Sequence, residues 1–265
     1  GTIPRMDLGL AQRVFVVTGG SRGLGLACAR ALVEEGAHVV VAARDQQALD
    51  EAIDGLGSSN AVGLAADLAD PGAAERVIAA ALARYERLDG ALISVGGPAA
   101  GTPMTTDDET WRLAFESVFL GQLRVARAAA NAMTGDPADL SGTRGSLAFV
   151  LSSSSRELLP GLTTSNGLRP GLGMIVKDLA DELGPRGIRV NGLLPGSFAT
   201  DRRFAIDARY GAPDVVRRRN ESTIPLGRYG EPEEFGRTAA FVLSPAASFV
   251  SGALIAVDGG ASRSI

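Results

Sequence analysis

The sequence predicts an α/β protein with a doubly wound parallel sheet, flanked by helices on both faces and folded as a single domain. Short runs of branched apolar residues alternate with segments of helical spacing along nearly the whole chain. Strands separated by helices imply right-handed crossovers between parallel strands. A chain of 265 residues with 45% hydrophobic residues is long enough for one large core. We therefore expect residues 1–265 to form one domain.

The first half of the chain contains four predicted strands and three predicted helices. The strands cover residues 13–18, 38–42, 61–65 and 91–94, and the helices cover 24–35, 46–55 and 71–85. In the second half, helices are predicted over about 107–133, about 170–183 and 232–243, and strands over 146–151, 188–193 and 253–257. Pro170 favours a helix that begins at Arg169 or Pro170, because proline fits the first turn. Residues 134–145 and 194–231 are predicted to be loops.

Composition excludes several classes of function. A net charge of -4 provides no global basic surface for nucleic acid. The apolar runs are shorter than the roughly 20 residues of a membrane helix, and no signal-peptide pattern opens the chain, so we expect a cytoplasmic protein without a membrane partner. Cys28 and His38 are the only residues of their types, which argues against a disulfide or a Cys/His metal cluster. His38 lies in an apolar run, which favours a structural role.

A glycine-rich turn follows the first predicted strand and opens the first predicted helix. In this context glycines allow a tight turn and a close approach to a pyrophosphate, which then lies at the helix N-terminus. The sequence therefore predicts a Rossmann-type dinucleotide site. Its expected binding residues in this turn are Thr18, Gly19, Ser21, Arg22, Gly23, Leu24 and Gly25.

The end of the second strand predicts which dinucleotide binds. An acidic residue there would bind the ribose hydroxyls of NAD and repel the 2′-phosphate of NADP. Ala43 occupies that place and Arg44 follows it, with Arg22 in the glycine turn. Two guanidinium groups favour NADP(H) as the cofactor, because they form charge-assisted bonds to phosphate. The alternative is that Arg44 is an ordinary solvated residue at a strand end.

The spacing TGxxxGxG resembles the short-chain dehydrogenase/reductase family, and the resemblance covers nearly the whole chain. Further motifs occur in the family's order: Asp67-Leu68, Ser94-Val95-Gly96-Gly97, Asn191 to Gly196, Thr200, and Ser251 to Gly260. The resemblance implies that Asp67 and Leu68 contact the adenine, that Ser94 and Gly96 line the cofactor site, and that Pro195, Gly196 and Thr200 hold the nicotinamide. The last of these motifs is similar to tetrameric members, which implies a homo-oligomer, a tetramer or a dimer.

The family's catalytic pattern is altered in this sequence. Members use a serine, a Tyr-x-x-x-Lys pair and an asparagine, and the lysine lowers the pKa of the tyrosine. Aligned on that pattern, Ser165 stands at the tyrosine position, Arg169 at the lysine position and Val118 at the asparagine position, while Ser152 matches the serine. Ser165-Asn166-Gly167-Leu168-Arg169 resembles a divergent subset of 3-oxoacyl-carrier-protein reductase-like members with Ser-Asn-x-x-Arg.

Two functions remain open from the sequence. The first is an NADP(H)-dependent oxidoreductase acting on a carbonyl or a related electrophilic double bond. Ser152, Ser165 and Arg169 would then stabilise the developing oxyanion or orient the cofactor, and water would supply the proton. The second is a silent NADP(H)-binding protein in which Arg169 only contacts cofactor ribose. Tyr210, in the loop that follows Thr200, is an alternative proton donor.

The long predicted loop after Thr200 is rich in arginine. Six arginines lie between Thr200 and Ser222, against four acidic residues. They favour a small-molecule substrate that is anionic, for example a phosphopantetheine thioester. A solvated helical face would account for the same residues.

Overall fold

The computed structural model describes residues 7–133 and 142–264 of the chain. Within these residues one parallel sheet has seven strands in the order β3-β2-β1-β4-β5-β6-β7. The strands are β1 Val14–Thr18, β2 His38–Ala43, β3 Ala61–Ala65, β4 Gly90–Ile93, β5 Gly145–Val150, β6 Ile188–Pro195 and β7 Leu254–Val257. The strand order reverses between β1 and β4, which is where open sheets of this kind form a ligand crevice. The predicted fold class is confirmed.

Helices cover both faces of the sheet. In the described residues they are α1 Gly23–Glu34, α2 Gln46–Leu56, α3 Ala73–Tyr85, α4 Asp108–Ala114, α5 Gly121–Ala132, α6 Thr163–Leu183, α7 Asp201–Asp207, α8 Pro213–Glu221 and α9 Pro232–Leu243. A π-helical segment, Phe115–Leu120, joins α4 to α5. No helix in these residues is long and apolar enough to cross a membrane.

The sheet separates two apolar layers. On one face, residues of α3, α5 and α6 pack against the strands, with Val118, Phe149 and Leu172 almost fully buried. On the other face, α1 and α9 pack against the same sheet around Phe15 and Phe235. Because both faces are covered, the central strands are apolar at nearly every position. The polar ends of the strands are therefore the places left for a site.

Two predictions about helix boundaries were wrong. Helix α6 begins at Thr163 and contains Pro170 in its interior, so it does not begin at Arg169 or Pro170. The exposed Pro170 faces solvent, while Leu168 and Leu172 on either side are buried. Burial of these leucines outweighs the hydrogen bond that proline removes. The other error is the loop over 194–231, which contains α7 and α8. Most of the predicted loop 134–145 lies outside the described residues.

Candidate functional site

The glycine turn lies between the ends of β1 and β4, at the reversal of strand order. Thr18 joins the two strands: its Oγ1 donates to the carbonyl oxygen of Ser94 over 2.7 Å and accepts the Ser94 N–H over 2.8 Å. Gly19 and Gly23 have φ angles of +61° and +55°, which side chains rarely adopt. The turn therefore needs glycine at both positions to bring the chain from β1 into α1.

Gly25 is required by space rather than by its backbone angles. A Cβ atom at this position would collide with the carbonyl oxygen of Gly19 and lie 2.9 Å from the Gly19 carbonyl carbon. These are backbone atoms of the turn itself and cannot rotate away. The close approach between Gly25 and Gly19 sets the shape of the cradle.

The N-terminus of α1 is open for an anion. Arg22 stands at the N-cap, but its side chain makes no capping hydrogen bond, and the first turn of α1 holds no acidic residue. The first N–H groups of this 12-residue helix therefore lack a side-chain acceptor. A helix end of this kind favours a phosphate group through its N–H groups and its dipole.

The two arginines predicted to bind a phosphate differ in the structure. Nη2 of Arg22 lies 3.0 Å from Oδ2 of Asp45, and both side chains are more than half exposed. Asp45 also caps α2 by accepting the N–H of Ala48. Arg44 makes no hydrogen bond or ion pair with a described residue, and its Nη2 lies 4.0 Å from a Cβ built on Gly96. Arg44 thus lies near Gly96 without a hydrogen-bond or ion-pair partner among the described residues. Asp45 was not identified from the sequence as the partner of Arg22.

The opposite wall of the crevice comes from β6 and the segment that follows it. Thr200 caps α7 by accepting the Arg203 N–H, and its Cγ2 lies 3.7 Å from a Cβ built on Gly23. Gly196 packs so closely on Asp258 that a side chain would not fit. Of the predicted nicotinamide residues, Thr200 therefore lies beside the glycine turn and Gly196 lies against Asp258. Beyond β3, Leu68 is buried and the Asp67 carboxylate accepts the Ala69 N–H.

Three serines meet at the end of β5. Ser165 Oγ lies 2.8 Å from Ser154 Oγ, and both side chains are buried. Ser152 Oγ accepts the Ser154 N–H over 3.1 Å, which holds the short 3-10 turn Ser153–Ser155. The residue that contacts Ser165 is therefore Ser154, two places after the predicted Ser152. The four consecutive serines at 152–155 do not distinguish these positions in the sequence, and only the turn decides which of them contacts Ser165.

Arg169 is buried beside the same group. Its Nη1 donates to the carbonyl oxygen of Val150 over 2.6 Å, while its buried Nε has no partner among the described residues. Burial, with a smaller contribution from the charge of Arg202, lowers the pKa of Arg169 to about 10. The side chain still carries a full positive charge at neutral pH. No carboxylate among the described residues neutralises it.

Asn166 serves the loop rather than the crevice. Its amide donates to the Leu159 carbonyl oxygen over 2.8 Å and accepts the Leu159 N–H over 3.0 Å. These two bonds fix the segment that leads from the serine turn into α6. Within residues 165–169, Ser165 therefore contacts the serine turn and Arg169 contacts the end of β5.

The remaining chemically reactive residues lie elsewhere. The Lys177 ammonium pairs with Asp181 on the exposed face of α6 at 2.7 Å. His38 stacks on Tyr85 with ring centroids 4.8 Å apart, and Cys28 is buried, which raises the pKa of its thiol. No group of three potential metal ligands occurs in the described residues. Tyr210 is largely exposed, and its hydroxyl lies 4.0 Å from a Cβ built on Gly161, ahead of α6.

A polar network fixes the segment that carries α7 and α8. The buried Tyr229 hydroxyl donates to Asp207 Oδ2 over 2.8 Å and accepts the Asn220 amide over 3.0 Å. Arg203 also binds Asp207 and lies over the Tyr229 ring. This network ties both short helices to the turn before α9.

Replacing Tyr229 with phenylalanine is expected to destabilise the protein by about 1–3 kcal/mol, because the buried Asp207 carboxylate loses a donor. The urea midpoint measures this change. Tyr85→Phe is the matched control, since the Tyr85 hydroxyl is buried without a partner among the described residues. Equal midpoints for the two variants would contradict the role given to the network.

Comparison with known proteins agrees with this geometry. The family model described as enoyl-(acyl carrier protein) reductase matches residues 19–262. The chain belongs to the short-chain dehydrogenase/reductase family, a family of oxidoreductases. The resemblance found in the glycine turn is thus confirmed at the level of the family.

Relatives match the chain over nearly its full length. Galactitol 2-dehydrogenase (L-tagatose-forming) of Cereibacter sphaeroides is 34% identical, covering 98% of this chain and 97% of the relative. L-Sorbose reductase of Gluconobacter frateurii, solved with NADPH and L-sorbose, has a TM-score of 0.90 at 27% identity and covers 98% of this chain and 100% of that chain. A variant of actinorhodin polyketide ketoreductase, solved with NADPH, has a TM-score of 0.87 at 27% identity, with 95% and 98% covered.

Proposed function

We propose that this protein is an NADP(H)-dependent oxidoreductase that reduces a carbonyl group or a related electrophilic double bond. The observation that carries the proposal is that two sets of polar groups lie at the carboxyl ends of nearby strands of one sheet, where sheets of this kind form a ligand crevice. One set is the open α1 N-terminus and Arg44; the other is the serine pair and the buried Arg169. Neighbours solved with NADPH support the choice of cofactor.

The residues present fit the parts of this cofactor. Thr18, Gly19, Ser21, Arg22, Gly23, Leu24 and Gly25 would hold the pyrophosphate, Arg44 the 2′-phosphate, and Asp67 and Leu68 the adenine. Ser94, Gly96, Pro195, Gly196 and Thr200 would hold the nicotinamide half. The bound cofactor supplies the hydride. The side chains around the carbonyl would then stabilise the charge that develops on its oxygen.

The active site of this proposal is atypical, with Ser165 and Arg169 in the places of the family's tyrosine and lysine. Reduction breaks the carbonyl π bond, adds the hydride to carbon and adds a proton to oxygen. A serine hydroxyl is far less acidic than a phenol and arginine keeps its proton, so neither delivers that proton readily. Ser152, Ser154, Ser165 and Arg169 would instead stabilise the developing oxyanion, and water would give the proton.

The relatives indicate which carbonyls to test first. One is named for a polyol and the ketose it forms, and another is a ketose reductase. The arginine-rich segment after Thr200 adds anionic substrates, including thioesters, to the panel. NADPH oxidation measured across ketoses, oxo acids, thioesters, enones and imines tests the proposal. Turnover of at least one class is the expected result.

A second candidate function is a silent NADP(H)-binding protein, a sensor or a structural partner. The observation that favours it is that the hydroxyls of Ser154 and Ser165 already bond to each other inside the protein. NADPH binding, followed by nicotinamide fluorescence, and turnover of the substrate panel are measured together to separate the candidates. Tight binding without turnover of any substrate supports the silent protein. The double variant S165Y/R169K would then gain activity only if the rest of the pocket is intact.

Tyr210 offers a different source for the proton. Its hydroxyl lies 4.0 Å from a Cβ built on Gly161, just before the start of α6. If water supplies the proton, Tyr210→Phe leaves kcat within about twofold of the parent. If Tyr210 supplies it, the loss is about 100-fold or more, as for other general acids.

We also propose a homo-oligomer, a tetramer or a dimer. Large apolar side chains are exposed at Leu113 on α4, Phe115 on the π-helical segment and Met174 on α6. Single soluble chains usually cover such side chains. Light scattering coupled to size-exclusion chromatography measures the mass of the particle.

A further inference from the structure

The structure separates the six arginines of the segment after Thr200. Arg203 binds Asp207, Arg217 binds Glu221, and Arg218 bonds the carbonyl oxygen of Asp214 on its own helix. Arg202, Arg209 and Arg219 form no side-chain hydrogen bond or ion pair with any described residue, and of these three the guanidinium of Arg202 lies against Gly97. Arg202 is therefore the arginine of this segment that is available to bind an anion near Gly97.

The guanidinium of Arg202 lies against Gly97, in the segment that follows β4. A Cβ built on Gly97 would lie 2.8 Å from Cζ and 3.3 Å from Nε of Arg202. Gly97 follows directly on Gly96, against which Arg44 lies. Partial desolvation and the neighbouring Arg209 both lower the pKa of Arg202, and no acidic side chain offsets them. The residue as a whole stays accessible to solvent.

Arg202 has a second guanidinium as its electrostatic neighbour. Arg169 lies at the neighbouring strand end: its Nη1 bonds the carbonyl oxygen of Val150, where β5 ends beside β4, and its buried Nε has no partner among the described residues. Burial and, to a smaller extent, the charge of Arg202 lower the pKa of Arg169. Two like charges at neighbouring strand ends, with no carboxylate among the described residues paired to either, destabilise the unliganded protein. An anion placed between them removes that cost, and guanidinium groups bind carboxylate or phosphate through paired hydrogen bonds.

We infer that Arg202 and Arg169 form a binding site for an anionic group of the substrate, a carboxylate carried close to the reducible carbonyl. The inference rests on the proposed function, because that function assigns the phosphate groups of NADPH to other residues. The 2′-phosphate goes to Arg44 and the pyrophosphate to the α1 N-terminus, whereas the nicotinamide end of NADPH carries no negative charge. Arg202, two residues after Thr200, and Arg169 are left for the second ligand.

The same charges set a preference between the two forms of the cofactor. The oxidised nicotinamide ring is positive and the reduced ring is neutral, so Arg169 and Arg202 disfavour the oxidised form. An oxo acid bound between the arginines would leave as a hydroxy acid that keeps its carboxylate. The inferred site therefore binds the oxo acid and its product through the same carboxylate, and the charges favour the reduced cofactor when no carboxylate is bound.

The test compares Arg202→Gln with Arg218→Gln, which removes an equal charge from the exposed face of α8. Calorimetry measures the binding of acetate, malonate and inorganic phosphate to the NADPH complex of each protein. Malonate or acetate is expected to bind the wild type and R218Q with the same affinity and R202Q about tenfold more weakly, as for loss of one charge-assisted bond. Where turnover occurs, acetoacetate should be preferred over methyl acetoacetate, and R202Q should lose that preference through KM.

The outcomes distinguish this inference from the proposed function. Carboxylate binding that R202Q weakens supports the site even if no NADPH is oxidised. Carboxylates that bind the wild type no more tightly than R202Q overturn the inference while leaving the oxidoreductase intact. If R202Q instead weakens NADPH and leaves carboxylates unaffected, the anion is the cofactor's own phosphate, and the substrate assignment is wrong.

Discussion

Gly25→Ala is expected to abolish cofactor binding. The new methyl group would meet the carbonyl group of Gly19 and lie 3.0 Å from the Gly20 Cα, all backbone atoms of the turn. Relief of the overlap requires the turn to open, which costs about 3 kcal/mol or more. Opening the turn also moves the N–H groups that face the pyrophosphate. NADPH affinity should fall by more than about 100-fold, and the urea midpoint should fall with it.

Gly55→Ala is the matched control for this change. Gly55 lies in α2, and a Cβ there meets nothing within 4 Å. Alanine is a better helix former than glycine by about 1 kcal/mol, so this variant should be slightly more stable and bind NADPH unchanged. A Gly25→Ala protein that binds NADPH as tightly as the parent would refute the cradle as we describe it.

Arg44→Gln is expected to have the next largest effect. Arg44 forms no bond to a described residue that would have to break before a phosphate binds. A charge-assisted bond to phosphate contributes about 1.5–3 kcal/mol, so NADPH should bind about 10- to 100-fold more weakly. NADH lacks the 2′-phosphate, and its affinity should not change. Fluorescence titration with both nucleotides gives the two dissociation constants.

Arg22→Gln provides the comparison for Arg44. Arg22 already pairs with Asp45 at an exposed site, where such a pair contributes about 0–1 kcal/mol. Transfer of Arg22 to a phosphate leaves Asp45 unpaired, so the expected loss of NADPH affinity is less than about fivefold. An equal loss of NADH and NADPH affinity in the Arg44 variant would show that Arg44 does not select the phosphate.

The parallel sheet and the family were predictable because their signals are local. Apolar runs of strand length, such as 38–42, and a glycine turn after a strand do not depend on distant contacts. The confirmed fold class and the short-chain dehydrogenase/reductase assignment both rest on such patterns. The same local reasoning failed at Pro170, where burial of Leu168 and Leu172 keeps the helix intact around the proline.

By itself, the sequence determined the order along the chain of the strands and of the helices other than α7 and α8, the glycine cradle and the residue types that stand near it. Only the tertiary structure decided which of those residues are available. Asp45 engages Arg22, Ser154 rather than Ser152 contacts Ser165, and Arg202 lies over Gly97. The physical reason is that a side chain's freedom to bind depends on partners from remote elements. Spacing along the chain carries no record of those partners.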